Sequence, residues 1–435
     1  MKVLMFGWEF PPHISGGLGT ACYGLSKGLL YNGVEVLFVV PRMYGDEDGE
    51  SIRLIDASDV LLDVNEVKYH EVWRKLTVIG VHSILIPYMS PEEFARVSTF
   101  ARLEKTDIEN SVFRTKFQFS GKYGHDLFKE VARYAVVAAK IAASQEFDVI
   151  HAHDWLTYPA AIAAREVSGK PFIAHVHATE FDRSGEHVNQ EIYEMERQGM
   201  QAADKIIAVS RFTRNIIITR YGIHPDKVKV VHNAVMPITS TQRRPERYFP
   251  EKLVTFLGRV TFQKGPDYFV EAAYKVLKKD KNVRFVMAGT GDMLPKIIRR
   301  VAQLRIGSRF HFSGFLNARE VDHVFGLSDV YVMPSVSEPF GISPLEAIRS
   351  NVPVIISKQS GVAEILRHAL TVDFWDVDDI ADKIYGLLHY KGISKMFIHH
   401  GKDEVENLKW DDAAWKVKKV YEDVLQIHNS MAFHE

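Results

Sequence analysis

Residues 330–349 read Val-Tyr-Val-Met-Pro-Ser-Val-Ser-Glu-Pro-Phe-Gly-Ile-Ser-Pro-Leu-Glu-Ala-Ile-Arg, an apolar run followed by a turn and a second partly apolar run. The run Val330–Met333 predicts a buried strand, and Leu345–Arg349 predicts the first turns of a helix. A buried strand that leads through a short loop into a helix is typical of a parallel sheet covered by helices. This stretch therefore predicts an α/β fold.

Two glutamates lie in this stretch, Glu338 in the loop and Glu346 on the helix. Ligands of an open parallel sheet bind beyond the carboxyl ends of the strands, so we expect both carboxylates to face one crevice. The backbone amides of Gly341, Ile342 and Ser343 lie between them and are expected to be free for an anion. The set suits a sugar nucleotide. The alternative is a solvated loop residue and a helix charge that the dipole stabilises.

The same alternation of strands and helices runs through the rest of the sequence. Further apolar runs predict strands at residues 3–6, 34–40, 78–87, 149–152, 171–176, 205–209, 253–257, 283–287, 310–312 and 352–356. Amphipathic runs predict helices at residues 18–31, 126–144 and 191–203. The opening strand–helix–strand unit implies right-handed crossovers. The chain thus divides into two α/β halves, each long enough for its own core.

Three segments depart from this alternation. Residues 236–247 are polar and contain two prolines, which makes them the best linker candidate. Residues 90–125 mix charge, aromatics and glycine with little periodicity, as in a loop that covers a site or in an irregular surface insertion. Residues 410–425 predict a helix whose single apolar stripe must pack against the rest of the protein. That stripe consists of Trp410, Ala414, Val417, Val420 or Tyr421, and Val424.

The composition argues against some classes of binding partner. The 435 residues include 54 Lys and Arg against 55 Asp and Glu, so no global charge attracts nucleic acid or an acidic membrane. The single cysteine, Cys22, cannot form an internal disulfide and is expected to pack on a helix in a reducing compartment. The apolar start Met1–Gly7 is too short for a signal peptide, and no apolar run reaches the roughly 18 residues of a membrane span. We therefore expect a soluble, cytoplasmic protein without an integral membrane segment.

A glycine-rich loop precedes the first predicted helix. Gly16, Gly17 and Gly19 have no side chains and lie where the helix begins, so this loop allows close approach of a phosphate. It differs from the dinucleotide fingerprint, because a long loop separates the glycines from the preceding strand. A plain flexible turn is the alternative.

Histidines gather at the ends of two predicted strands, with His151 and His153 on one and His175 and His177 on the other. Alternation along a strand places both members of each pair on one face, so the set could in principle hold zinc. No cysteine or acidic partner motif marks such a site, and we expect buried structural imidazoles without a bound metal. His177, at the very end of its strand, is the one placed to face a cleft.

Arg259 and Lys264 follow the first strand of the second half. A guanidinium and an ammonium on one short loop can neutralise a departing diphosphate, whereas ordinary surface charge is the alternative. Both residues lie between a strand and a helix, at the crevice where the two glutamates are expected. Two further strand-end turns, at residues 288–292 and around Phe315 and Leu316, either only reverse the chain or present backbone groups to a nucleobase.

These motifs together resemble retaining glycosyltransferases of family 4, the glycosyl transferases of group 1, over nearly the whole chain. The strongest matches are Gly258-Arg-Val-Thr-Phe-Gln-Lys-Gly265, Ala288-Gly-Thr-Gly-Asp292, Pro334-Ser-Val-Ser-Glu-Pro-Phe-Gly341 with Glu346, Ala208-Val-Ser-Arg211 and His232-Asn233. The segments most similar to the bacterial and archaeal glycogen synthases are Trp8-Glu-Phe-Pro-Pro12, Gly16-Gly-Leu-Gly19, His151-Ala-His-Asp-Trp155 and His175-Val-His-Ala-Thr-Glu-Phe-Asp182.

The resemblance implies the GT-B fold, in which two Rossmann-like parallel-sheet domains face a central cleft. On this chain the acceptor-side domain would comprise residues 1–237 and the donor-binding domain residues 248–408, with a helix at about 409–428 crossing back onto the first domain. The implied enzyme is a hexosyltransferase that uses a nucleotide sugar as a substrate and needs neither a cofactor nor a metal.

The resemblance also implies three groups of site residues. The catalytic group is Glu338, His177, Arg259 and Lys264. The donor-binding group is Gly17, Gly19, Arg259, Lys264, Gly341, Ile342, Ser343, Glu346, Phe315 and Leu316. The acceptor-side group is Glu9, Asp154 and Trp155.

Individual roles follow from the same resemblance. Arg259 and Lys264 would hold the donor diphosphate, and Glu346 would bind the ribose hydroxyls. Glu338 would contact the transferred sugar, and His177 would lie near its 6-hydroxyl and its reacting carbon.

The expected function is transfer of a hexose, with glucose preferred, to an α-glucan acceptor, as in glycogen synthase. One departure concerns Ile14, because the classical starch and glycogen synthases have a lysine two positions before the paired glycines. Membership of that classical group, and a preference for ADP-glucose, therefore stay open. The main alternative is a family 4 enzyme of lipid or cell-surface polysaccharide synthesis that transfers mannose, glucose or GlcNAc. An epimerase or phosphorylase on the same fold, a nucleotide-sugar sensor and a zinc hydrolase are more distant candidates.

Overall fold

Two parallel β-sheets, one in each half of the chain, organise the fold, and helices cover both. The computed structural model describes residues 1–12, 16–45, 47, 52–63, 114–121, 127–236 and 245–432. The predicted α/β class with two Rossmann-like units is confirmed. The predicted strand at 78–87, most of the 90–125 stretch and the middle of the proposed linker lie outside the described residues.

The first sheet contains seven parallel strands in the order β3-β2-β1-β6-β7-β8-β9. The strands of this half are β1 (Lys2–Phe6), β2 (Glu35–Val40), β3 (Arg53–Asp56), β4 (Leu62–Asp63), β5 (Arg114–Thr115), β6 (Val149–His153), β7 (Phe172–Val176), β8 (Lys205–Ala208) and β9 (Val228–Val230). The short β4 and β5 form a separate antiparallel pair. The strand order reverses between β1 and β6, so the loops after these two strands lie side by side at the carboxyl edge.

The second sheet contains six parallel strands in the order β12-β11-β10-β13-β14-β15. They are β10 (Lys252–Leu257), β11 (Val283–Ala288), β12 (Phe310–Gly314), β13 (Val330–Met333), β14 (Val354–Ser357) and β15 (Leu370–Val372). Here the order reverses between β10 and β13. The loop that carries Lys264 and the loop that carries Glu338 therefore leave neighbouring strands at the same edge of the sheet.

Helices cover both faces of each sheet. In the first half they are α1 (Gly17–Tyr31), α2 (Leu127–Ser144), α3 (Tyr158–Ser168), α4 (Glu180–Ser184), α5 (Gln190–Ala202) and α6 (Arg211–Tyr221). In the second half they are α7 (Pro266–Lys279), α8 (Leu294–Gln303), α9 (Ala318–Leu327), α10 (Ser343–Arg349), α11 (Val377–His389), α12 (Lys391–Glu406) and α13 (Trp410–Ala432). In the part of the chain that the structure describes, no helix is both long and apolar enough to cross a bilayer.

The strands are apolar on both faces because helices pack on both sides of the sheets. Along β1 the alternation of side chains decides which core each residue enters. Leu4 and Phe6 lie in the cluster that includes residues of α2, whereas Val3 and Met5 lie in the cluster that includes residues of α1. Each sheet is therefore the middle layer between two apolar cores.

The helix α13 packs back onto α1. The apolar stripe predicts only that this face is covered, and the resemblance implies that the helix crosses back onto the first half. Its stripe residues are buried in the same cluster as Cys22, Leu25 and Leu29 of α1. A Cβ atom on Gly24 would overlap the indole of Trp410, so glycine lets the two helices approach closely. Cys22 is a free, buried thiol within this packing, which agrees with its predicted role.

Candidate active site

An ion pair joins the two loops that leave β10 and β13. Lys264, at the end of a short 3₁₀ helix formed by Phe262–Lys264, places its Nζ atom 2.5 Å from Oε2 of Glu338. The same carboxylate oxygen accepts a hydrogen bond from the Ser335 hydroxyl at 3.1 Å. Glu338 is only 6% exposed, so the ammonium neutralises a carboxylate that is nearly out of water. The structure thus brings these two predicted residues together.

Gln263, which the sequence motifs did not single out, ties these loops to each other. Its backbone carbonyl accepts from the amide of Val336 at 2.9 Å, and its side-chain Oε1 accepts from the exposed Arg259 at 3.2 Å. Gln263 itself is buried. The only sign in the sequence that Gln263 has a structural role is its position inside the motif at 258–265, because a buried glutamine and a surface glutamine look the same in a sequence.

The turn between the two glutamates requires glycine at position 341. Gly341 has a φ of +100°, and a Cβ there would lie 3.2 Å from Cγ of Glu338 and 3.2 Å from Cε of Met333. Within the described residues, the amides of Gly341, Ile342 and Ser343 donate to no acceptor. The sequence also predicts that these three amides bind an anion, which stays a prediction.

Glu346 lies on α10, half-buried, and its carboxylate makes no hydrogen bond to any residue that the structure describes. Burial raises its pKa, an effect that the nearby Arg349 opposes. The hydroxyl of Tyr331 lies 2.8 Å from Oγ of Ser343. Burial raises the pKa of Tyr331, and the charges of both Glu338 and Glu346 raise it further, so both carboxylates lie near this ring.

The turn after β12 presents one aromatic side chain to solvent. Phe315 is 61% exposed, whereas Leu316 is half-buried and packs against a small cluster that includes Leu253 and Val286. Phe315 is therefore the residue of this predicted pair that is open to a planar ligand.

The glycine loop of the first half lies where α1 begins. Gly16 is the N-cap of α1 and supplies no capping side chain, and among the described residues no atom lies within 4 Å of a Cβ built on Gly16 or Gly17. Gly19, further along α1, is buried. Glu9 is buried in the loop after β1. Ile14 lies outside the described residues, so its departure from the lysine pattern has no structural counterpart here.

The four histidines form one stack at the ends of β6 and β7. His151 and His175 lie 3.1 Å apart through Nε2 and Nδ1, and His153 and His177 lie 2.9 Å apart through Nδ1 and Nε2. Nδ1 of His151 also lies 2.6 Å from the hydroxyl of Tyr421 on α13. The expected structural pairing of imidazoles is present, and it joins the first half to the helix that packs back onto it.

Burial lowers the pKa of all four histidines, in the case of His177 to about 3. The imidazoles are therefore neutral at physiological pH. His177 is half-buried, and its Nδ1 atom has no partner within the described residues. A neutral ring with one unused nitrogen suits a hydrogen bond to a hydroxyl better than proton transfer.

Two sets of side chains in this stack are close enough to hold a metal ion. One consists of His151, His153 and His175, and the other of Cys22, His153 and His177, with ligand atoms within 4.8 Å of one another in each set. In both sets, ring nitrogens are already engaged in the imidazole pairs. The expectation of a site without metal stays a prediction.

Asp154 turns inward and holds the loop that carries His177. Its backbone has a φ of +59°, and its Oδ1 accepts from the amides of His177 at 2.6 Å and Ala178 at 3.3 Å. Burial raises the pKa of Asp154 to about 6, although Arg183 and the two amides act in the opposite direction. The carboxylate at this predicted acceptor-side position is thus engaged with the protein backbone.

Trp155 lies mostly within the core of the first half. It is only 6% exposed, with its ring 5.6 Å from that of Phe128. Glu9 and Asp154, the other two predicted acceptor-side residues, are exposed to the same extent. The acceptor-side role that the resemblance implies for Trp155 stays a prediction.

The two halves also touch beside the cleft. Glu364 of the second half accepts from the amides of Arg211 and Phe212, the first two residues of α6, at 2.9 Å and 2.7 Å. The same carboxylate lies 2.9 Å from Nε2 of His232. These contacts place a carboxylate at a helix N-terminus, where the helix dipole favours a negative charge.

Comparison with known proteins shows which family this chain belongs to. A model of the glycosyl transferases group 1 matches residues 239–404, and a model of glycosyltransferase family 4 matches residues 96–237. The chain belongs to glycosyltransferase family 4. It is similar to an uncharacterized glycosyltransferase of Methanocaldococcus jannaschii, at 27% identity over 98% of this chain and 99% of the other. It is also similar to the glycogen synthase of Mycobacterium tuberculosis, at 25% identity over 85% and 81%.

A solved structure supports the same fold for this glycosyltransferase. The sucrose-phosphate synthase of Thermosynechococcus elongatus superimposes with a TM-score of 0.69 at 15% identity, covering 98% of this chain and 99% of the other. At this identity the likeness shows the GT-B fold alone. The family models make this protein a glycosyltransferase, whereas the fold alone specifies neither the donor nor the acceptor.

Proposed function

We propose that this glycosyltransferase moves glucose from a nucleotide sugar to the end of an α-glucan chain and retains the α configuration. The observation that carries the proposal is the Lys264–Glu338 pair beside three unused amides at Gly341, Ile342 and Ser343. Cationic and amide donors suit a diphosphate, and a carboxylate beside them suits sugar hydroxyls. The resemblance to glycogen synthases in the loops of the first half supports glucan as the acceptor.

In the proposed reaction the bond between the anomeric carbon and the diphosphate oxygen breaks. A new bond forms from the same face between that carbon and an acceptor hydroxyl. The acceptor proton passes to the departing diphosphate oxygen, so no protein side chain needs to take it up. The chain's own contribution is then to position the reactants and to stabilise charge.

Each proposed side chain has one task in that scheme. Arg259 and Lys264 stabilise the negative charge that develops on the leaving diphosphate. Glu338 accepts hydrogen bonds from the transferred sugar, and Glu346 accepts them from the ribose. The neutral imidazole of His177 offers Nδ1 to a sugar hydroxyl near the reacting carbon.

The test is to measure nucleotide release from ADP-glucose, UDP-glucose, UDP-GlcNAc and GDP-mannose, each with and without glycogen. Release from a glucose donor that depends on glycogen is the expected result, and analysis of the product linkage checks retention. Glu338→Gln keeps the shape of the side chain and removes its charge. This matched variant should therefore lower nucleotide release. Release only with a lipid acceptor, or only from a mannose or GlcNAc donor, would replace the proposal with the lipid or surface-polysaccharide alternative.

A further inference from the structure

A side-chain hydrogen bond connects the loop that carries Glu338 to the helix that follows the His177 loop. The hydroxyl of Ser337, in the second half, donates to Oδ1 of Asp182, in the first half, at 2.5 Å. Ser337 immediately precedes Glu338, and Asp182 lies on α4, which directly follows the His177 loop. The bond therefore joins the two chain segments whose side chains are proposed to contact the transferred sugar.

Asp182 is held in place by its own half of the protein. Its Oδ2 accepts from the amide of Thr179 at 2.7 Å and from the Thr179 hydroxyl at 2.8 Å, as part of a capping box at the start of α4. Only 1% of Asp182 is exposed. Because these bonds use Oδ2, the Oδ1 atom of Asp182 is left to face the second half of the protein.

Ser337 is likewise anchored in its own half. The amides on either side of it, those of Val336 and Glu338, donate to the carbonyls of Gln263 and Gln359, each at 2.9 Å. The Ser337 hydroxyl is thus not needed to shape its loop, and Asp182 is its partner. A hydroxyl with no role within its own half is suited to hold the other half in place.

The surroundings of α4 make this contact specific to the donor loops. The helix packs against the 3₁₀ helix Phe262–Lys264, and a Cβ on Gly185, directly after α4, would lie 3.5 Å from the ring of Phe262. The helix α4 therefore touches the loop that carries Lys264 as well as the loop that carries Glu338. Its position fixes both donor loops relative to the His177 loop.

We propose that Ser337 and Asp182 are positioning residues whose hydrogen bond holds Glu338 and His177 on opposite sides of the sugar during transfer. The inference rests on the proposed roles of Glu338 and His177. Neither Ser337 nor Asp182 needs to touch the substrate, because the bond acts by keeping the two halves in register. Its loss misplaces the reacting groups while those nucleotide contacts that are proposed for the second half remain.

The test compares Ser337→Ala, Ser337→Thr and Ser144→Ala, with nucleotide release as the assay. Ser144 is the matched control, since its hydroxyl bonds to Ile141 within α2, away from the cleft. For Ser337→Ala we expect kcat to fall about tenfold or more and KM for the donor to change by less than about twofold. Ser337→Thr keeps the hydroxyl and should regain most of the lost kcat, whereas Ser144→Ala should match the unmodified protein.

A second measurement does not depend on the donor. Small-angle X-ray scattering should give a larger radius of gyration for Ser337→Ala than for Ser144→Ala, because the halves separate more often without the bond. Unchanged kcat together with an unchanged radius would overturn the proposal, as would parallel losses of kcat, donor affinity and unfolding midpoint without rescue by threonine. A different preferred sugar or acceptor would contradict the proposed function alone, since the same variants can be compared with whichever donor the protein uses.

Discussion

Lys264 and Glu338 form an ion pair between the loops that leave β10 and β13, with 2.5 Å between Nζ and Oε2. Both are proposed to bind the donor, Lys264 through the diphosphate and Glu338 through the sugar. Donor binding must then exchange partners, since the ammonium turns to phosphate and the carboxylate accepts from sugar hydroxyls. Until that exchange, each residue neutralises the other in a site that is largely closed to water.

Removal of the lysine alone should therefore affect both activity and stability. In Lys264→Ala, we expect turnover to fall by about 100-fold or more, because an electrostatic contribution to the transition state is lost. The free energy of unfolding should fall by about 1–3 kcal/mol, because Glu338 is left buried without its ion-pair partner. Kinetics and urea unfolding measure the two effects. The double variant Lys264→Ala/Glu338→Gln should regain stability without regaining turnover; a double variant no more stable than the single one would refute this account of the pair.

A methyl group at position 341 should disturb the same loop. Gly341→Ala places a Cβ at 3.2 Å from Glu338 and forces alanine into a φ of +100°, so we expect a loss of about 1–3 kcal/mol and a clear drop in transfer. Gly386→Ala is the control, since that glycine lies within α11 with no described residue near its Cβ position and should gain up to about 1 kcal/mol. Thermal unfolding of the two variants checks the prediction. Equal stability of both would show that the turn tolerates a side chain.

The histidine stack should contribute less stability in mild acid. A buried imidazole whose pKa is lowered in the folded state contributes stability that is present above the unfolded pKa of about 6.5. This stability is lost as the pH falls, because the unfolded chain takes up protons that the folded protein refuses. Since burial lowers the pKa of all four histidines, we expect their contribution to the free energy of unfolding to decline below about pH 6.5.

Buried carboxyls act in the opposite direction. Burial raises the pKa of Asp154 to about 6 and that of Glu196 to about 7, and it also raises the pKa values of Asp182 and Glu346. Their contribution is greatest in acid and is lost as the pH rises through the folded pKa. The pH dependence of the unmodified protein is therefore a sum of both effects, and a histidine variant is needed to separate them.

The variant His153→Phe makes that separation, because it leaves these carboxyls in place. Between pH 6.5 and 5.5, the free energy of unfolding of this variant should fall by about 1 kcal/mol less than that of the unmodified protein. The reason is that the variant lacks one imidazole that takes up a proton only in the unfolded chain. The exposed His311 provides the control variant His311→Phe. Urea unfolding at several pH values gives the measurement, and an equal pH dependence for all three proteins would contradict the assignment.

Transfer is expected to continue after metal removal. The proposed steps use only the side chains and amides of this chain, although two sets in the histidine stack bring ligand atoms within 4.8 Å of one another. Elemental analysis of the purified protein, followed by assay in EDTA, tests the expectation. Stoichiometric zinc whose removal abolishes transfer would contradict the expectation and would revive the zinc-dependent alternative.

The central strands could be predicted from the sequence because helices bury both of their faces. Strands such as β6 and β7 are continuous apolar runs interrupted only by the histidines, and their predicted and observed bounds agree closely. Among the strands that the sequence did not reveal, β3, β9 and β15 lie at sheet edges and are partly exposed, whereas β4 and β5 form a short antiparallel pair apart from both sheets. An edge strand needs less apolar surface, so its pattern resembles that of a loop.

The meeting of the Lys264 and Glu338 loops was predictable for a similar reason. The loops with Lys264 and Glu338 follow strands whose apolar pattern is clear, and the carboxyl ends of parallel strands meet at one edge of a sheet. The contacts between the halves were not predictable, because Ser337 and Asp182 are ordinary loop and helix residues until the fold brings them together. The burial of Trp155 was missed because an aromatic beside a motif gives no sign of which way it points.

The packing of α13 on α1 has a consequence for the order of folding. The face of α1 that carries Gly24 is covered by Trp410, yet the ribosome makes nearly all of the second half before it makes that residue. Domains generally fold as they emerge from the ribosome, but the first half cannot complete its packing until α13 has been made. The face of α1 around Gly24 is therefore uncovered until α13 has been made, and docking of that helix covers it.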